Sequence, residues 1–184
     1  MESKNLIIRL TTFEDCSLFA IWEKMYEVTE FFSIDDNRSY EQIVRETIIA
    51  ELDESKLQFT ILLKDYQGED QVIGRIFVTQ LNKLYDSLDI TRIYIGPNEC
   101  RNKGYGEEAL RLFLEYCFIN LHTERVTLDH FSGNIVASRL YLKLGFQYEG
   151  VARNASKKNG KYHDLNTMSI LRSEYYEKVH NKRT

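Results

Sequence analysis

"GPNECRNKGYGEEALRLF", residues 96–113, decides how the chain is read. An alternating apolar segment, 89–95, precedes it, with Ile90, Ile93 and Ile95 as anchors, and a strongly apolar helical pattern follows. Between them sit the chain's only proline, two basic residues and two glycines spaced by one. A phosphate-binding P-loop needs G-x-x-x-x-G-K-[ST], which does not occur here. Gly104-x-Gly106-x-x-Ala109 fits the dinucleotide fingerprint G-x-G-x-x-[GA], and Asp129 follows at about the right distance. In that fold, however, the strand runs almost directly into the first glycine. Here eight residues, 96–103, intervene, and only 55 follow Asp129, too few to complete a doubly wound sheet. A plain turn into a helix leaves Arg101 and Lys103 unexplained, because cations oppose the dipole at a helix N-terminus. An anion bound there removes the conflict. Glycines permit close approach and φ > 0, and the free N–H groups of a first helical turn point at such a ligand. Arg101, Asn102, Lys103, Gly104, Tyr105 and Gly106 therefore read as a pyrophosphate cradle, from which Glu107 and Glu108 must point away.

The rest of the chain fits around that turn. Its 184 residues suit a single domain, 1–184, with an ordinary 43% of hydrophobic residues. A net charge of −4 argues against nucleic-acid or membrane-surface binding. Three irregularly spaced cysteines imply no disulfide framework, and no leader or membrane span is legible, so a cytoplasmic protein is expected. Periodicity predicts strands over 6–10, 58–63, 71–80, 89–95, 125–130, 147–152 and 162–170. Helices are expected over 12–27 with Thr12 as N-cap, over 40–52, 106–121 and 135–144, and over 173–180. Ile43, Thr47 and Ala50 share one face of the second, with Ile48 and Leu52 beside them, and 27–39 reads as a loop. The order predicts a mixed α/β (α+β) sheet flanked by helices. The four histidines lack metal-ligand spacing, so no metal is expected, and no G-x-S-x-G nucleophile elbow occurs.

"RNKGYG" resembles the R/Q-x-x-G-x-G/A motif of the GNAT superfamily of N-acetyltransferases through Arg101, Gly104 and Gly106. "ITRIYIGP" is similar to that family's bulged fourth strand. "SGNIVASRLYLKLGF" resembles its signature N-x-x-(A)-x-x-x-Y-x-K-x-G-F through Asn134, Ala137, Tyr141, Lys143, Gly145 and Phe146, and Asn134 falls 33 residues after Arg101, in keeping with the family's spacing. "GKYHDLNTMSILRSEY" is similar to the final strand of the branch containing ribosomal-protein-alanine and spermidine acetyltransferases. The clear resemblance covers residues 90–176. One departure is Asp89-Ile90-Thr91, where relatives often carry an acidic residue followed by Ile-Gly.

The resemblance implies a mostly antiparallel sheet of about seven strands, splayed between the fourth and fifth. It implies transfer of an acetyl group from acetyl-CoA to a primary amine by direct attack in a ternary complex. The pantetheine arm would pair with the main chain around Ile93, Tyr94 and Ile95. Asn134 would bind near the thiol, a role compatible with capping the helix that follows. Tyr141 would be the general acid, and a strand N–H would face the oxyanion. The base is open among His130, Asp89 and Glu149, with water as a relay. The acceptor is a protein N-terminus, a polyamine or another small amine, and a homodimer stays open. A catalytically silent acyl-CoA sensor is the alternative, against which Tyr141 speaks. Residues 23–36 hold Glu23, Glu27, Glu30, Asp35 and Asp36 against Lys24, which leads to the expectation of a cationic acceptor.

Overall fold

The computed structural model describes residues 1–32, 34, 38–65 and 68–180. Seven strands, β1 (Leu6–Leu10), β2 (Leu57–Leu63), β3 (Gln71–Asn82), β4 (Ser87–Ile95), β5 (Arg125–Phe131), β6 (Gln147–Lys158) and β7 (Lys161–Leu171), form one sheet in the order β1-β2-β3-β4-β5-β7-β6. Every neighbouring pair is antiparallel except β4 and β5, which run parallel. Helices α1 (Asp15–Trp22), α2 (Tyr26–Thr29) and α3 (Tyr40–Leu52) precede β2. Helix α4 (Tyr105–Glu115) links β4 to β5, α5 (Ile135–Leu144) links β5 to β6, and α6 (Arg172–His180) closes the described chain.

Each face of the sheet buries its own apolar cluster. On one side Ala109, Leu110, Phe113 and Leu114 of α4, with Tyr141 and Leu144 of α5, pack over Ile76, Ile90, Val126 and Leu128. On the other, Cys16, Phe19 and Trp22 of α1 and Ile43 of α3 surround Tyr94. The two sets alternate along β4 because successive side chains of a strand point to opposite faces. The alternation is reset once. Phe77 pairs with Arg92 but Val78 with Ile90, so Thr91 is an inserted residue, a β-bulge. Gly96 ends the strand where a side chain has no room, since a Cβ would stand 2.0 Å from the Trp22 ring.

Several boundaries differ from the sequence expectation. Helix α1 ends at Trp22 rather than continuing to residue 27, because Glu23 turns inward to buried arginines. Thr12 is not its N-cap; Asp15 reaches back and accepts from the Thr12 amide. Within the expected loop, 26–29 forms a helical turn, while Ser33, Asp35, Asp36 and Asn37 lie outside the described residues. Ile43, Thr47 and Ala50 are buried as expected, but Ile48 and Leu52 are 42% and 83% exposed, since the inward face of α3 is narrower than the apolar pattern. After a 3-10 turn at Asn98–Cys100 the segment following β4 becomes α-helical at Tyr105, and that helix ends at Glu115 in a π-helical turn, 116–120, after which the Leu121 amide donates to the Tyr116 carbonyl. The final hairpin is longer than expected because Asn159 and Gly160, at φ 49° and 76°, form the two-residue turn that lets the strands continue.

Between the sheet and α1–α3 lies an ion cluster. Arg75 is fully buried and donates to Glu23 at 2.7 Å and to Glu46 at 2.8 Å, and also to Gln58. Arg38 reaches Glu23 at 2.6 Å and Glu46 at 3.1 Å, Arg92 reaches both acids, and the Tyr94 hydroxyl donates to Glu23 at 3.0 Å. Burial pushes the Glu46 carboxyl up, but Arg92, Arg75 and Arg38 outweigh it and hold it down at about 2. A carboxyl depressed on folding stabilises the protein above its unfolded pKa, and that contribution is lost as pH falls through the folded value. Glu46→Gln should therefore cost about 3 kcal/mol at pH 7, and the gap from wild type in urea denaturation should narrow steadily from pH 4.5 towards pH 2. A pH-independent gap would show that the Glu46 charge is not what stabilises the fold.

Candidate active site

The parallel junction of β4 and β5 is short. Ser87 pairs with Arg125, Leu88 with Val126 and Asp89 with Thr127, and there the pairing stops. Beyond it β5 continues against β7 to Phe131, and β4 continues against β3 to Ile95. The edge of β4 from Ile90 to Ile95 therefore faces a gap, as expected of a sheet splayed between its fourth and fifth strands. A cleft of about 340 Å³ occupies this gap. Ile90, Thr91, Arg92 and Ile93 line one wall, Asp129, His130 and Phe131 the other, and Asn134, Tyr141, Leu165, Phe31, Phe32 and Ile34 close it.

At the far end of β4 the chain enters the glycine turn. Asn102 and Gly104 both adopt positive φ, 58° and 87°. Gly104 is the N-cap of α4 and offers no side chain to the first-turn amides, and a Cβ built on it meets nothing within 4 Å. The turn is an open, amide-lined concavity of the kind that takes an anion. Glu107 and Glu108 point away, as required. Glu108 accepts from Ser3 Oγ at 2.6 Å and from Asn5 N and Nδ2 at 3.0 and 2.9 Å, and Glu107 pairs with Arg111 and Lys143 at 2.9 and 2.5 Å. Arg101 spends its guanidinium on the chain itself, donating from Nε to the Ile95 carbonyl at 3.0 Å and from a terminal nitrogen to that of Gly96 at 2.6 Å. It braces the turn, while Lys103 is exposed and makes no ion pair among the described residues. Tyr105 and Gly106 begin α4. Ile93 and Ile95 pack towards α4, whereas the Tyr94 side chain faces the opposite cluster, so only its main chain is available to the gap.

Asn134 caps α5, its Oδ1 accepting from the Ala137 amide at 3.1 Å, and it also lines the cleft. Tyr141 projects from α5, its ring 5.8 Å from that of His130 and 5.8 Å from that of Phe146. Burial, and then the Asp129 charge, push its hydroxyl up to about 12, so it stays protonated. Nδ1 of His130 lies 2.9 Å from the Phe131 carbonyl, a contact in which it donates, and Nε2 is buried without a partner among the described residues.

The three base candidates separate. Glu149 is bound to Arg125 and Ser169 at the opposite end of β5 and is absent from the cleft lining. Asp89 sits at the last parallel pair, holding Thr127 Oγ1 at 2.8 Å and Thr91 Oγ1 at 3.0 Å, and burial pushes its carboxyl up. Asp129, which sequence reasoning had weighed only as a dinucleotide ligand, faces the cleft without a hydrogen-bond partner among the described residues. The protein around it, and then Asp89, raise its carboxyl. Its signal was positional: it stands two residues past the last parallel pair, where side chains begin to face the gap.

The acidic segment divides: Glu27 and Glu30 are exposed, as a solvated face would be, but Glu23 is not. Glu23 is wholly buried and neutralised by arginines, Asp35 and Asp36 lie outside the described residues, and from 30–32 the side chains that line the cleft are Phe31 and Phe32. Cys100, next to Arg101, is buried, and burial raises its thiol, as fits a bystander. Among the described residues no group of three or more His, Cys, Asp or Glu could hold a metal, and no helix is long and apolar enough to cross a membrane.

A sheet parted beside a glycine-led helix, with a tyrosine at the parting, defines an acyltransferase of one class, and the chain belongs to it: residues 8–167 match the family model of the acetyltransferase (GNAT) domain. The protein is an N-acetyltransferase of that family. It is 30% identical over 176 residues to an uncharacterized N-acetyltransferase, YoaA, of Bacillus subtilis, covering 94% of this chain and 96% of that one. It is also 30% identical over 108 residues to the spermidine N(1)-acetyltransferase of Vibrio cholerae, covering 59% and 61%. The crystal structure of spermidine N-acetyltransferase from Vibrio cholerae in complex with CoA and spermine shares the fold, with a TM-score of 0.84 at 22% identity over 95% of this chain and 99% of that one.

Removing the Asn134 cap separates its structural role from any contact with a ligand. Asn134→Ala should lower stability by about 1 kcal/mol in urea denaturation of the free protein. Asn134→Asp, which keeps the capping acceptor, should restore it, and an unchanged midpoint in the alanine variant would show that α5 does not need the cap.

Proposed function

We propose that this chain acetylates a primary amine by direct attack within a ternary complex, with the acyl donor laid along the open edge of β4. The observation that carries the reading is the adjacency of two features: a strand edge left without a partner after Asp89, and an αL-led helix start with free amides at the end of the same strand. An extended amide-bearing arm pairs with such an edge as an added strand would, and a pyrophosphate suits the amides of residues 101–106. The residues fit that group: the concavity is open, its two acids turn outward, and Lys103 supplies an unspent charge.

Acetyl-CoA supplies the acetyl group as an activated thioester and leaves as a thiolate that needs a proton. Tyr141 holds that proton. Its hydroxyl at about 12 stands some 3.5 units above an ordinary thiol, roughly 5 kcal/mol uphill in water. A thiolate brought into the same dry cleft is destabilised by the burial that raises Tyr141, which narrows the mismatch. Asp129 is the group placed to take a proton from the incoming ammonium, directly or through one water. Its raised carboxyl brings it closer to the working range of a general base than an exposed aspartate. His130 Nε2 is the second acceptor in the cleft. Asn134, its carbonyl committed to the cap, presents its amide nitrogen to the donor's thiol end. The acceptor is a small amine or a peptide N-terminus. A silent acyl-CoA sensor remains the second reading, and the retained Tyr141 hydroxyl and free Asp129 carboxylate weigh against it.

Gly104→Val should abolish acetyl-CoA binding in calorimetry while leaving the circular-dichroism spectrum unchanged, because a branched residue resists φ of 87° and fills the concavity. Retained affinity would move the donor elsewhere. Tyr141→Phe should lower kcat about 10²-fold with acetyl-CoA affinity unaltered. A variant at full speed would return Tyr141 to a packing role.

A further inference from the structure

The acceptor half of the cleft is bipolar, and its two poles define a substrate class. Asp89 and Arg92 on β4, and Asp129 across the gap on β5, all project towards the α1–α3 face, opposite the cofactor-side cluster of α4 and α5. Asp129 and Arg92 both line the cleft itself. The bulge at Thr91 produces this arrangement. Were the alternation unbroken through Thr91, Arg92 would share the α4 face with Ile90, and Ile93 would take its place.

The electrostatics behind Arg92 do not cancel. Its cluster holds three guanidinium groups, Arg38, Arg75 and Arg92, against two carboxylates, Glu23 and Glu46. The Tyr94 hydroxyl adds no charge, since burial and Glu23 raise it well above its ordinary value. One positive charge is left over among the described residues. Arg75 is sealed, with a buried Nε lacking an acceptor among the described residues, and Arg38 is held at 2.6 Å. Arg92 is the loosely held member. Its bonds to Glu23 and Glu46 are 3.5, 3.2 and 3.3 Å long, and its Nε has no partner among the described residues. The surplus charge thus reaches the cleft through Arg92. Phe31, Phe32, Phe131 and Leu165 supply the apolar part of the walls, beside the polar Thr91, His130 and Asn134. In such a setting a loosely paired guanidinium that carries the cluster's surplus charge favours an anionic partner, and a second cation brought beside it is disfavoured by the same field.

We propose that the acceptor is an amine that also carries a carboxylate and an apolar body, an amino acid or a short peptide with a free C-terminus. Its ammonium docks at Asp129 and its carboxylate at Arg92. Arg92 is then the specificity-determining residue, and polyamines are poor acceptors although a structural relative was crystallised with one. This inference rests on the acetyl-transfer reading above.

The test is release of free thiol from acetyl-CoA by the purified full chain with matched acceptors. These are apolar α-, β- and γ-amino acids and apolar dipeptides, the methyl ester of each, and spermidine. The free acids should exceed their esters in kcat/KM by on the order of tenfold or more, the scale of one charge-assisted contact, and should exceed spermidine. Esterification lowers the basicity of the amine and so raises its reactive free-base fraction, so a preference for the acid cannot come from amine acidity. Arg92→Gln should bring the acid-to-ester ratio close to one through a raised KM for the acid, and Arg92→Lys should retain part of the ratio. If neither variant folds, the wild-type ratio decides alone. Esters or spermidine turned over as well as the acids would overturn the carboxylate inference and leave acetyl transfer standing. No thiol release with any amine, alongside acetyl-CoA binding in calorimetry, would remove both and favour the silent sensor.

Discussion

Three residue pairs hold β4 to β5, and the geometry of the site depends on their ending where they do. Up to Asp89 and Thr127 the two strands share a ladder, and the core beneath α4 is continuous. Past that point β4 is drawn towards β3 by its own pairing and kinked by the inserted Thr91, while β5 is held by β7 to its last residue. A strand cannot serve two diverging partners, so one edge opens. The open edge is tolerable only because the loss of pairing is confined to residues beside a cleft, where a ligand or water satisfies the backbone groups. The helix that starts beyond the same strand then delivers its free amides to the end of the opening.

The site has two faces of different character because the sheet separates two cores. The α4–α5 side is almost wholly apolar and fixes the protonated tyrosine. On the α1–α3 side charged groups have been taken out of water and set against one another. Such a cluster is weak as a source of stability, since desolvation consumes much of the attraction. It is effective as a source of direction. Arg75 and Tyr94 from neighbouring strands, Glu23 at the end of α1 and Glu46 on α3 each meet partners from another element, so the register of sheet and helices is specified by charges that cannot be left unpaired.

Much of this was legible beforehand, for identifiable reasons. The glycine turn could be read because cations at a helix start demand explanation, and the strands because β-branched alternation is a strong local signal. Helix α5 was legible from Asn134 to Gly145, where a capping side chain and an αL glycine punctuate both ends. What escaped notice was long-range. Glu23 looked like a surface acid because nothing local distinguishes it from Glu27, and its partners lie 15, 52 and 69 residues away. The same range separates Arg92 from Glu23 and Glu46, and Asp129 from the cleft residues on β4 and α5. Arg101 was seen, but as a charge for an anion, whereas two of its donors are committed to carbonyls only five and six residues back. The Asn159-Gly160 pair is a local turn signal, and it carries the hairpin beyond the expected strand ends at 152 and 162.

That hairpin also bears on how the molecule assembles. β6 and β7 meet across a two-residue turn, so their pairing closes a minimal loop, and isolated hairpins form within about 1–10 μs. The parallel junction of β4 and β5 needs contacts between residues 38 apart, with a whole helix in between, and only three pairs reward the closure. The hairpin is expected to be an early foldon and the junction a late one. The cleft, which exists only once β4 and β5 have met and parted, would then be the last feature to form and the first to open under native-state fluctuation. Amides of 87–95 should exchange with solvent through smaller openings than those of 161–171, although both lie in the same sheet.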